Sequence, residues 1–214
     1  MPIEATPDTL LASTNRRNSL RGATDHLHRD LDRLAAAFNL ADITHYRRFL
    51  QANATALIAI EQLLESAGVA QLLPDWPQRS RRSAILADLH SLGSDVQPFA
   101  LRRAAPTPPE MFGVLYVLEG SRLGARVQLE QVMTSSDERV RNASTYLRHG
   151  QPTLGQDGVQ SVGLWRSFLE QLESNEAADD QTQSVSGAVY AFTMFIRSFG
   201  RAANELSLRT APAA

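Results

Sequence analysis

The stretch Pro108–Met133, PPEMFGVLYVLEGSRLGARVQLEQVM, decides how the chain folds. Two prolines open it where a missing backbone N–H costs nothing, and Glu110 follows at the positive end of the helix dipole. Met111, Val114, Leu115, Leu118 and Leu123 then recur at helical spacing, which predicts one long helix over the whole stretch. Gly120 and Gly124 run against that pattern, since each costs a helix interior roughly 0.8–1 kcal/mol relative to alanine. Together they forfeit about 2 kcal/mol, and one turn apart they share a face, followed by the small Ala125. Missing side chains at that spacing imply close approach, either by a neighbouring helix or by a planar cofactor.

The flanking sequence repeats the helical period. Leu20, Leu27, Leu31, Leu34 and Phe38 form a stripe after Ser19, a candidate N-cap. Thr44–Ala67 continues it and ends at Gly68, and Ser80–Leu92 is closed by Gly93. Further helices are predicted over Ser135–Arg148, capped by Ser136, over Gln160–Ser174, and over Ser184–Leu206, which carries Tyr190, Phe192, Phe195 and Phe199. Residues 39–43, 73–78, 98–106 and 150–158 read as loops. All ten prolines fall in loops, first turns or tails, and neither strand alternation nor an internal repeat is visible. The expectation is a single all-α domain of about seven helices over residues 16–206, between a loose arm, 1–15, and a tail, 207–214.

Composition narrows the chemistry. A chain of 214 residues, 43% hydrophobic with net charge −2, can bury one substantial core and lacks the basic excess of a nucleic-acid binder. No apolar run approaches the ~18 residues that span a bilayer, and the N-terminus has no secretory pattern, so a cytoplasmic protein without a membrane partner is expected. The absence of cysteine removes disulfides, thiolate ligands and iron–sulfur clusters. All 21 basic residues are arginine, which removes Schiff-base catalysis and a Walker-type lysine.

Among the five histidines, His28 shares a helical side with Thr24, Leu31 and Ala35, whereas His26 is turned about 200° away. A packed histidine and a metal-ligating imidazole both fit that border position. Neither His-Glu-x-x-His nor Glu-x-x-His occurs; Asp25–His28 and Asp42–His45 have Asp-x-x-His spacing, a frequent chance pattern. Ser121 lies mid-helix and outside any Gly-x-Ser-x-Gly elbow, which argues against a serine hydrolase. Arg16, Arg17 and Arg21 form a basic cluster open to water or to a ligand's carboxylates, and Phe192, Phe195 and Phe199 form either core or the wall of an apolar pocket.

Two stretches together resemble the haem oxygenase family, in its bacterial, biliverdin-producing branch. LRGATDHLHRDLD, Leu20–Asp32, is similar to its first-helix signature, and LYVLEGSRLGARV, Leu115–Val127, to its distal helix. Ser121 stands where animal-type members carry an aspartate, and Ala125 where many relatives have a further glycine. The resemblance implies an all-α enzyme that cleaves haem, its cofactor and substrate, with O2 and reductant to biliverdin, ferrous iron and carbon monoxide. It implies His28 as the iron ligand, and Gly120, Ser121 and Gly124 against the reacting face. It also implies Arg21, Thr24, Tyr116, Phe195 and Phe199 around the haem, with Arg197 or Arg201 as further propionate partners. A ferredoxin or flavin reductase would supply electrons, and a bilin photoreceptor is one destination for the product. The alternatives are a haem carrier of the same fold without turnover, and a helical interaction protein whose glycines serve packing alone.

Overall fold

The computed structural model describes residues 7–101, 103–150 and 160–210. Among them are nine α-helices and no strand: α1 (Pro7–Ala35), α2 (Ile43–Ser66), α3 (Trp76–Arg79), α4 (Arg82–Ser91), α5 (Pro108–Met133), α6 (Glu138–Asn142), α7 (Thr145–Arg148), α8 (Gln160–Ser174) and α9 (Gln181–Thr210). Short 3-10 turns stand at Val69–Gln71 and Glu176–Ala178. No helix among the described residues is long and apolar enough to cross a membrane.

Helix α5 has the predicted bounds, and its start is fixed by a capping box. The Thr107 hydroxyl accepts from the Glu110 N–H while the Glu110 carboxylate accepts from the Thr107 N–H at 2.9 Å. From there α5 packs against α9, which also lies against α1 and α2. The α5–α9 contact is backbone on backbone. A Cβ added to Gly113 would stand 1.8 Å from the Ser184 carbonyl oxygen, and one added to Gly187 2.0 Å from that of Glu110. These two glycines, rather than Gly120 and Gly124, serve helix packing. The core around them holds Leu50, Leu57 and Ile60 of α2, Phe112 and Leu115 of α5, Phe168 of α8 and Phe199 of α9. Phe199 meets Phe49 and Phe38 edge-on, with ring centroids 5.6 and 5.7 Å apart.

Several local expectations need correction. Helix α1 begins at Pro7, so Ser19 lies inside it and does not cap it; residues 1–6 of the expected arm lie outside the described residues. Helix α9 extends past Leu206 to Thr210, and 211–214 lie outside. The segment 135–148 is two short helices. Asp137, not Ser136, caps α6 by accepting from the Arg139 N–H at 2.9 Å. Helix α7 starts on the buried Asp88 carboxylate, which accepts from the N–H groups of Thr145 and Tyr146 at 3.0 and 2.8 Å. The expected loop 73–78 contains the single turn α3. Of the loop 150–158 only Gly150 is described. Leu123, counted in the apolar stripe, is 50% exposed.

Because the atoms opposing Gly187 are backbone and cannot rotate away, Gly187→Ala is expected to destabilise the fold by about 3 kcal/mol. Exposed Gly22, inside α1 with nothing within 4 Å of an added Cβ, is the control: Gly22→Ala should gain up to about 1 kcal/mol. Urea unfolding of the two variants measures both.

Candidate functional site

Helices α1, α5 and α9 enclose a cavity of about 390 Å³, with Trp165 of α8 closing one side. Most of the residues singled out from the sequence line it: Arg21, Thr24 and His28 from α1, Tyr116, Gly120, Ser121 and Gly124 from α5, and Phe195 and Phe199 from α9. The expected helical side of α1 is the cavity side, since Leu31 and Ala35 line it as well.

His28 is 63% exposed, and its Nδ1 lies 2.8 Å from the Asp32 carboxylate one turn on. The edge of its ring meets Phe192, with centroids 5.9 Å apart. The α5 wall, otherwise lined by side chains such as Tyr116, Val117 and Gln128, is bare at its two glycines. Nothing lies within 4 Å of a Cβ built at Gly124, and one at Gly120 meets only the Trp165 ring at 3.8 Å. Gly124 therefore faces open space in the cavity, Gly120 faces the Trp165 ring of α8, and no helix backbone packs against either of them.

A polar side adjoins the glycines. Arg81 is 3% exposed and donates to the Leu118 carbonyl at 3.0 Å and to Ser121 Oγ at 2.9 Å. Its guanidinium lies 5.2 Å from the centroid of Tyr146, whose hydroxyl donates to Asn53 Oδ1 at 3.1 Å. Arg81, Tyr146 and Asn53 all line the cavity, and sequence reasoning missed them. Arg81 is aimed from a distance: buried Glu61 on α2 accepts from the N–H groups of Arg81 and Arg82 at 2.8 and 3.2 Å, starting α4 where no local side chain does so. Tyr146 depends likewise on Asp88. No short-range pattern announces either arrangement.

The basic cluster divides. Arg17 and Arg21 line the cavity, Arg17 with its guanidinium 6.0 Å from the Trp165 ring centroid. Beside them burial pushes the Tyr116 phenol up, against the pull of both arginines. Arg16 turns away and donates to the Leu172, Glu173 and Asn175 carbonyls at the end of α8. Arg197 lies over Phe99, Arg201 pairs with Glu205 and Arg126 pairs with Glu130, and none of the three lines the cavity. The Asp-x-x-His pairs form no metal centre. Asp42 caps α2, His45 Nδ1 accepts from the Asn39 N–H, and no group of three His, Asp or Glu among the described residues could hold a metal ion.

A family model described as Heme oxygenase matches residues 14–201 of the chain. The chain belongs to the haem oxygenase family. It is 28% identical over 197 residues to the haem oxygenase PigA of Pseudomonas aeruginosa, covering 88% of this chain and 95% of that protein. To a haem oxygenase of Xanthomonas campestris it is 26% identical over 155 residues, covering 72% and 88%. The fold superposes on the NO- and CO-bound haem oxygenase of Neisseria meningitidis with a TM-score of 0.69 at 20% identity, covering 93% of this chain and 94% of that one. The cavity therefore belongs to an enzyme of haem degradation, and haem is both its prosthetic group and its substrate.

Behind α5, the Arg122 guanidinium lies 3.2 Å from His149 Nδ1. Burial, then the charges of Arg122 and Arg81, lower the His149 pKa to about 4. Between that value and the ordinary 6.5 the unfolded chain binds the proton more readily than the folded one, so stability falls as pH drops through this window and levels off below it. His149→Gln should flatten that part of the profile of melting temperature against pH between 6.5 and 4, read by circular dichroism.

Proposed function

We propose that this haem oxygenase opens the haem ring to biliverdin, ferrous iron and carbon monoxide, with haem held between His28 and the backbone of Gly120–Gly124. The observation that carries this reading is the open space over Gly124 in a cavity that also holds a carboxylate-oriented imidazole. Bound haem supplies the iron that takes up O2 and electrons from a donor, a ferredoxin or a flavin reductase, and the macrocycle that is cut.

The residues fit that group. Asp32 fixes the ring of His28 through Nδ1–H, which leaves the Nε2 lone pair to bind a metal. The rings of Phe192, Phe195 and Phe199 supply an apolar wall that excludes water from a flat, greasy ligand. Arg17 and Arg21 bring two cations to one end of the cavity, where the propionates are expected to lie. On the α5 side, bare backbone lets the reacting face come close and limits the directions open to a small ligand. Arg81 and Ser121 then place hydrogen-bonding groups beside it, where ordered water can hand on a proton.

The purified protein incubated with haem, a reductase and O2 should bleach the Soret band and accumulate green pigment; lasting ferric and ferrous spectra would instead mark a carrier. Gly124→Leu fills open space and leaves the fold intact, so its melting temperature should stay within a few degrees of wild type while haem binding or turnover falls at least a hundredfold. His28→Ala should lose the imidazole-ligated Soret spectrum on haem titration, and recover it with added imidazole.

A further inference from the structure

On the side of α5 turned away from the cavity, Glu119 and Arg122 are each 1% exposed, as is Arg79 of α3. Glu119 Oε2 accepts from Arg79 at 2.8 Å and from Arg122 Nε at 3.0 Å, and Oε1 accepts from Arg122 at 3.1 Å. Each guanidinium also bonds to groups outside α5. Arg79 donates to the Asp75 carboxylate at 2.8 Å, to the Leu164 carbonyl at 3.0 Å and to Ser167 Oγ at 2.7 Å, the last two on α8. Arg122 donates to the Arg79 carbonyl, and to the His149 carbonyl beyond α7 at 3.4 Å. The two cations are unequally compensated. Burial lowers Arg79, but Asp75 and Glu119 outweigh it and leave the group raised; for Arg122, burial and then the charge of Arg81 win, and the group is lowered.

We infer that Glu119 is a positioning residue for the Gly120–Gly124 turn, holding it through Arg79 and Arg122. A buried Arg–Glu–Arg cluster is a poor source of stability, because desolvation cancels most of its Coulomb gain and well-packed apolar groups of similar volume do as well or better. What ion pairs add is direction. A leucine at 119 would tolerate a small rotation or slide of the helix, whereas the carboxylate, with bonds on both oxygens, does not. The need arises at this turn, since Gly120 and Gly124 offer no side chain to hold its cavity side, where Arg81 grips Ser121 alone, and both glycines loosen the backbone. Residues 119 and 122 are the back of the turn of which 120, 121 and 124 are the front. The role toward haem rests on the reading above; the anchoring of the turn does not.

Hydrogen exchange of the haem-free protein tests the anchoring directly. In Glu119→Gln, amides of residues 120–125 should exchange at least tenfold faster, while those of residues 54–60 in α2 keep wild-type rates. Glu119→Gln with Arg122→Gln restores the balance of charge; its melting temperature should recover towards wild type while fast exchange at 120–125 persists. Recovery of both in the double variant, or unchanged exchange in Glu119→Gln, overturns the inference and leaves the cluster as charge balance alone. Should Glu119→Gln fail to fold, Glu119→Asp, which keeps the charge and withdraws it by one methylene, carries the same expectation. In the haem-loaded ferric protein the azide dissociation constant should shift at least fivefold in the double variant, and an unchanged constant would overturn the link from the anchored turn to the haem face. A wild-type chain that takes up no haem would sink the functional reading while the exchange result still decides this one.

Discussion

Two stretches of main chain in direct contact, at Gly113 and Gly187, govern the placement of everything else. A methyl group on either glycine would overlap a carbonyl oxygen of the other helix, so α5 and α9 meet at a separation that only hydrogen at Cα permits. Both helices have just begun at that crossing. Two turns further along α5 comes the glycine face of the cavity, and further along α9 come Phe192, Phe195 and Phe199 on the same cavity. Helix α1 rests on α9 and brings His28 edge-on to Phe192. One tight crossing thus sets the positions of three walls.

Charge inside the molecule organises the remaining pieces. Glu61 and Asp88, both almost fully buried, each supply the first hydrogen bonds of a helix elsewhere in the chain, α4 and α7, neither of which has a capping side chain of its own. Burying a carboxylate is costly unless several donors surround it, and the orphan N–H groups of a helix start meet that need. The bond between Glu61 and the start of α4 aims Arg81 at the cavity, and the bond between Asp88 and α7 sets Tyr146 beneath it. Arginine suits these positions because its planar fork can bridge carboxylate, carbonyl and hydroxyl at once, as Arg79 does.

What could be seen from sequence divides along the same line. The bounds of α5, the ends of α2 and α4 at Gly68 and Gly93, and the cavity side of α1 all follow from periodicity and local turn chemistry, which act within a few residues. Gly120 and Gly124 were visible as anomalies, but nothing local says what faces them, which is the Trp165 ring for the first and open space for the second. Gly113 and Gly187 escaped notice because a single glycine in a helix carries no mark of what approaches it. Arg81, Asn53 and Tyr146 were hidden for a stronger reason: they reach the cavity through partners such as Glu61 and Asp88 that are remote in sequence. The beginning of α1 at Pro7 went unseen because its first residues show no apolar stripe, and the break between α6 and α7 because Asp88 intervenes from outside.

The position of Trp165 has an optical consequence. The chain has two tryptophans, and Trp76 is buried with its indole N–H directed at Glu65 and is not part of the cavity lining. Trp165 instead looks into the chamber, beside bare main chain on one side and a guanidinium on another. Ultraviolet emission from the haem-free chain is therefore the sum of a constant background and one indole that senses its immediate surroundings, which makes the filling of the chamber by colourless, iron-free molecules readable in a fluorimeter.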